Sequence, residues 1–122
     1  MNMFKLCSIM ILAMTSLYFV GCADSPNDVV VKYFEAAADG DFDEASEYIT
    51  GPYSEDVVSY LKKQYNEDPK QIKEYAELIK TAMESSSNNA EINGDKAIIK
   101  PFDNDPPLIL KKIDGKWKIY TY

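Results

Sequence analysis

The chain has 122 residues, room for one domain, and carries twenty acidic against thirteen basic residues for a net charge of −7. Every basic residue is a lysine, histidine and arginine are absent, and both cysteines, Cys7 and Cys22, fall within the first 22 residues. For the body after that leader this excludes zinc sites built on Cys or His, thiol nucleophiles, histidine acid–base catalysis and structural disulfides, and it disfavours nucleic acid as a partner.

The leader is the first element. Met1 to Lys5 form a short n-region with one positive charge, and Leu6 to Val20 are fifteen uncharged, mostly apolar residues. The run is shorter than the roughly 20 residues that span a bilayer and has the length of a secretory h-region. It ends in Phe19-Val20-Gly21-Cys22, which resembles the bacterial lipobox, with phenylalanine where leucine is usual. The resemblance implies diacylglycerol on the Cys22 thiol, cleavage before Cys22 and acylation (palmitate) of the new amino terminus. The competing reading is an uncleaved anchor with Cys22 incidental; a cysteine placed directly after Val20-Gly21 favours lipidation. The expected organisation is a signal peptide over residues 1–21, a tether over 22–25 and one domain over 26–122. The protein is then expected on the bacterial cell envelope, facing the periplasm or the exterior and held to the membrane through Cys22.

Ser25-Pro26-Asn27-Asp28 predicts a helix start, with an N-cap, a proline in the first turn and an acid beside it. The helix runs to about Ala38, with Val30, Phe34, Ala37 and Ala38 on one stripe and Val29 and Tyr33 beside it. Asp39-Gly40 stops it through a left-handed glycine. Asp41 caps a short second helix with Glu44 as its capping-box partner, and Phe42, Ala45 and Ile49 are its buried side. Thr50-Gly51-Pro52 breaks the chain. Ser54 opens a third helix to about Tyr65, striped by Val57, Val58, Leu61 and Tyr65, and Asp68-Pro69 starts a fourth, striped by Ile72, Tyr75, Ala76, Ile79 and Met83.

Beyond the polar loop at Ser85 to Asn89 the apolar period changes to two. Asn93-Gly94 predicts a type I′ hairpin between Ala90–Ile92 and Lys96–Lys100, and Asp114-Gly115 predicts a second between Leu108–Ile113 and Lys116–Tyr122. A two-residue loop at Asp114-Gly115 sets Ile113 opposite Lys116, Lys112 opposite Trp117, Leu110 opposite Ile119 and Leu108 opposite Thr121. Leu108, Leu110, Trp117 and Ile119 then share an inward face, and Lys111, Lys116 and Lys118 an outward one. The expected class is α+β, with N-terminal helices packed on one face of a short antiparallel sheet.

The opening Ser25-Pro26 with Val29 to Phe34, the turn Gly40-Asp41-Phe42-Asp43-Glu44-Ala45, and the ending Leu110 to Ile119 resemble the two ends of nuclear transport factor 2-like (NTF2-like, cystatin-like) domains. Within that superfamily the chain is similar to an uncharacterised bacterial lipoprotein family termed lumazine-binding-like. The resemblance implies a cone-shaped fold whose pocket lies between the first helix and the sheet. Residues 53–87 read as helical where the superfamily often has a strand and longer hairpins, so a reduced sheet is expected. The fold hosts enzymes, binders and scaffolds alike.

Three functions are open to such a chain. One is a non-enzymatic, membrane-tethered binding or protein-interaction module, its partner surface formed by Tyr53, Tyr120, Tyr122, Lys111 and Lys118 against an envelope protein. The second is a binder of small apolar ligands, its pocket lined by Tyr33, Phe34, Ala37, Leu110, Trp117 and Ile119; Trp117 is also the natural core plug of so small a body. The third is an isomerase- or dehydratase-like enzyme, which needs a carboxylate projecting into an apolar cavity, and the apolar stripes contain none. No catalytic residue, metal or cofactor is therefore assigned; Asp39, Asp41 and Asp43 alternate but lack the glycine and late glutamate of a calcium loop. Charge is also segregated: −9 from Cys22 to Leu61, −2 from Lys62 to Asp95 and +3 from Lys96 to Tyr122. The lysines of the predicted sheet are either an ordinary solvated face or a surface for anionic lipid head groups or an acidic partner.

Overall fold

The computed structural model describes residues 24–85 and 90–122. The leader, with Cys7, Cys22 and the first two residues of the tether, lies outside the described residues. The elements in chain order are α1 (Pro26–Ala38), α2 (Phe42–Ser46), β1 (Ile49–Thr50), α3 (Ser54–Glu67), α4 (Pro69–Glu84), β2 (Glu91–Asn93), β3 (Lys96–Ile99), β4 (Leu108–Ile113) and β5 (Lys116–Tyr120).

α1 is fixed at both ends by local chemistry. The Ser25 hydroxyl accepts from the Asp28 N–H at 3.2 Å while the Asp28 carboxylate accepts from the Ser25 N–H at 3.3 Å, a reciprocal cap. At the other end the Gly40 N–H donates to the Ala37 carbonyl and the Asp41 N–H to the Ala36 carbonyl. That pair of bonds is a Schellman stop, and Gly40 adopts the positive φ of 77° that it needs. Asp41 caps α2 as expected, accepting from the Glu44 N–H at 3.1 Å. Glu44, however, accepts from the Tyr48 hydroxyl at 3.3 Å. Ile49 is buried, but as part of β1 and not of α2.

α3 extends to Glu67, two residues past the expected end, because the chain stays helical until Asp68. Asp68 precedes Pro69 and is held extended at φ −155°, which separates α3 from α4. α4 buries Ile72, Ala76, Ile79 and Met83 of the expected stripe and packs along α1, whereas Tyr75, the fifth member, stays 40% exposed.

Among the described residues the sheet is five-stranded, mixed and open, in the order β1-β5-β4-β3-β2. Its β4–β5 hairpin has the predicted register, Leu110 opposite Ile119, Lys112 opposite Trp117 and Ile113 opposite Lys116. Asp114 and Gly115 both take positive φ, 51° and 80°, as a type I′ turn requires. Pairing stops before Leu108–Thr121; the Thr121 N–H donates to the Thr50 carbonyl at 2.8 Å instead. The β2–β3 turn also differs from expectation. Asn93 pairs with Lys96, so the loop residues are Gly94 and Asp95. Positive φ there is confined to Gly94, the pattern of a type II′ turn. β1 is an addition: two residues in parallel with β5, Ile49 beside Ile119 and Thr50 beside Tyr120.

The core lies between α1, α4 and the inner sheet face. Val30, Ile79, Ile99 and Leu110 are fully sealed, and Trp117, 8% exposed, closes the hairpin end. A smaller cluster of Ala37, Ala38, Phe42, Ile72 and Ala76 continues it at the far end of α1. The domain is thus α+β, with its helices against a mixed sheet.

Candidate functional site

At the end of the sheet away from its hairpin tips lies a cleft of about 400 Å³. α1 supplies Tyr33 and Phe34 to its lining, α4 supplies Tyr75, and the segment before α3 supplies Tyr53. Asp105-Pro106-Pro107 and the adjoining start of β4 form one wall, and Ile119 to Tyr122 form another. Two groups of residues that the sequence separates, the pocket residues and the partner-surface residues, meet here. Tyr33, Phe34 and Ile119 line the cleft beside Tyr53, Tyr120 and Tyr122.

Three expected pocket residues do not reach it. Ala37 and Leu110 are completely buried in core contacts, and Trp117 is packed among core side chains. They fail as lining because the helical and strand periods that mark them as apolar also turn them toward the closed interior. Lys111 and Lys118 lie on the outer sheet face, directly opposite one another. The Lys111 ammonium stands 3.8 Å from the centre of the Tyr120 ring, a cation–π contact that joins this face to the rim of the cleft.

The aromatic groups are arranged in contact. Tyr120 and Tyr122 stack with centroids 6.2 Å apart and planes 12° from parallel. Phe34 meets Tyr33 edge-on at 5.0 Å and Tyr75 at 5.3 Å. Tyr53 and Tyr122 are 53% and 70% exposed and form the open side. Thr121 ties the walls together: its hydroxyl donates to the Thr50 carbonyl at 3.1 Å and accepts from the Tyr53 N–H at 3.2 Å. Gly51, at φ 112°, lets the two segments approach, since a side chain there would run into the Thr121 carbonyl.

Tyr33 is the exception to good polar accounting. It is only 3% exposed, and its hydroxyl has no hydrogen-bond partner among the described residues. Burial pushes its pKa well above the ordinary phenol value. Tyr75 is raised as well, by burial first and by the negative charge of Asp105 second.

Chemically, the cleft is a set of flat apolar rings with phenolic donors and a single side-chain carboxylate, from Asp105. Among the described residues no group of three or more His, Cys, Asp or Glu side chains could hold a metal ion. Tyr75 and the Asp105-Pro106-Pro107 wall had no place in the expected site. Tyr75 carried a signal as a member of the α4 stripe that its hydroxyl suits to a rim, and the paired prolines as a segment unable to join the sheet. Compared with protein-family models, with curated proteins and with solved structures, the chain finds no match.

Proposed function

We propose that this protein is a lipid-anchored lipoprotein of the bacterial envelope that binds a small, uncharged, ring-bearing ligand in the tyrosine-lined cleft, without catalysing its conversion. The observation that carries this reading is the cleft itself. Six aromatic side chains, Tyr33, Phe34, Tyr53, Tyr75, Tyr120 and Tyr122, border about 400 Å³ of open space. That size suits a small molecule, and rings with a few polar tips fit the general chemistry of ligand sites. The lipobox-like Phe19-Val20-Gly21-Cys22 supplies the anchor, and a chain without histidine or arginine supports binding over catalysis. The NTF2-like cone belongs to the same proposal; α1 packed against β5 and β3 of an open sheet, with the cleft at one end, agrees with it.

Two measurements test it. Cys22→Ser should abolish incorporation of labelled fatty acid and release the protein from membranes; unchanged labelling would remove the anchor. The uncharged probe N-phenylnaphthylamine should bind the purified protein with enhanced fluorescence, and Tyr120→Ala should weaken that binding by roughly tenfold, as loss of an aromatic contact does. Equal binding by the variant would place the probe elsewhere.

A further inference from the structure

The two hairpins end on the same side of the sheet. Lys96 starts β3 opposite Lys111, and Lys111 sits opposite Lys118. Three strands thus carry a lysine side by side on the outer face, followed toward the tip by Lys116 and, on the inner face, by Lys112. The tips touch one another: the Lys112 N–H donates to the Asp95 carbonyl at 2.8 Å. Asp95 and Asp114 are the acids of the two turns. Among the described residues none of these five lysines forms an ion pair. Lys111 and Lys112 lie over the rings of Tyr120 and Trp117 instead. Like charges set directly opposite across strands work against the sheet. In a chain whose charge from Cys22 to Leu61 is −9, this positive end stands out as a place for an external anion.

Asp24, the first described residue of the tether, is tied to the body by its contacts. Asp24 pairs with Lys32 at 2.9 Å and acts electrostatically on the Tyr48 hydroxyl. The Tyr48 carbonyl accepts from the Ile119 N–H at 2.8 Å, which sets Tyr48 level with Lys118. Asp24 is held by Lys32 and Ser25 caps α1, and in the sequence Ala23 alone lies between Cys22 and Asp24. One residue spans about 3.5 Å.

We propose that the lysine-bearing tip of the sheet docks on an anionic phospholipid surface, turning the tyrosine cleft away from the bilayer. The choice of a bilayer as the anion rests on the Cys22 anchor proposed above. Lysines at an anionic leaflet gain from its surface potential within a screening length, and an anchor at Cys22, two positions before Asp24, would keep the domain close to that leaflet.

The test uses the full chain, processed and lipidated in a bacterial host and added to vesicles of phosphatidylcholine or of equal phosphatidylcholine and phosphatidylglycerol. Lysine acetylation by a water-soluble ester is followed residue by residue by mass spectrometry, and flotation reads attachment separately. On the anionic vesicles Lys96, Lys111, Lys116 and Lys118 should react roughly fivefold more slowly than on neutral ones, with the protection fading at about 0.5 M salt. Lys62, Lys63 and Lys70, exposed on the helices, should react equally on both. The double variant Lys111→Glu/Lys118→Glu should float but lose the protection. Equal rates on both vesicles at every lysine, with flotation intact, overturn the docking and leave the anchor standing. Protection that extends equally to the helix lysines also overturns it. Flotation with anionic vesicles alone, with the tip protected, supports the docking and removes the anchor; flotation with neither overturns both.

Discussion

The inner face of the sheet and the cleft at its far end are built from neighbouring residues of the same strands, yet they differ in kind. Leu110 and Ile99 are fully enclosed, with Trp117 closing the hairpin end, so that region is filled. A few residues along, β5 runs out into Tyr120, Thr121 and Tyr122, β4 is preceded by two prolines, and α1 and α4 present rings in place of aliphatic side chains. Rings stacked or set edge-on at 5.0–6.2 Å hold one another in place without filling the space between walls. The filled region carries stability, and the unfilled one is free to carry recognition.

Substitutions can break or sharpen that contrast. The largest effect is expected in the filled region: Trp117→Ala should cost about 3–5 kcal/mol in chemical denaturation, as removal of a core aromatic does. A cost below about 1 kcal/mol would erase the distinction. Next comes the seam between the two regions. Gly51→Ala should cost about 2 kcal/mol or more, because it strains the backbone and drives a methyl into the Thr121 carbonyl.

Tyr33→Phe tests the boundary residue. Its hydroxyl is buried without a partner among the described residues, so its removal should be neutral or stabilising by up to about 1 kcal/mol. A clear loss would mean that the hydroxyl makes a bond in solution. The same residue sets an alkaline limit. Its raised pKa leaves stability intact below the ordinary phenol value near 10 and lowers it as the pH climbs above, because the unfolded chain ionises first. Tyr33→Phe should therefore shift alkaline unfolding to higher pH, leaving the smaller contributions of Tyr48 and Tyr75. The smallest effect belongs to the open rim, where Tyr122→Ala should change stability by no more than about 0.5 kcal/mol.

Much of the fold was legible because its causes are local. The Ser25–Asp28 cap, the Gly40 stop and the Asp114-Gly115 turn each depend on residues within a few positions, and each is found where the sequence placed it. The inward set of Leu110, Trp117 and Ile119 follows from that turn by alternation alone. β1 was illegible, since Ile49 and Thr50 become a strand only by pairing with β5. The β2–β3 turn had two adjacent solutions around Gly94. The one adopted lets the Asp95 carbonyl accept from Lys112, a residue of another hairpin. The candidate site was legible in halves. Tyr33 and Phe34 showed through the helix period and Tyr53, Tyr120 and Tyr122 through their number, but no local rule brings the two sets to one cleft. Ala37 and Leu110 were misplaced because apolar spacing distinguishes inside from outside and says nothing of whether the inside is filled.

The clasp of Thr121 on Thr50 joins positions 71 residues apart. The four helices and the two hairpins can each form from nearby residues, whereas β1 has no partner until β5 exists. Sheet completion is therefore a long-range, late event of folding, joining positions 71 residues apart. Because Tyr53 hangs from the same Thr121 hydroxyl, the walls of the cleft become joined only with that closure. A folding intermediate that retains the helices would lack the binding site, so recovery of probe binding after dilution from denaturant would trail the recovery of helix.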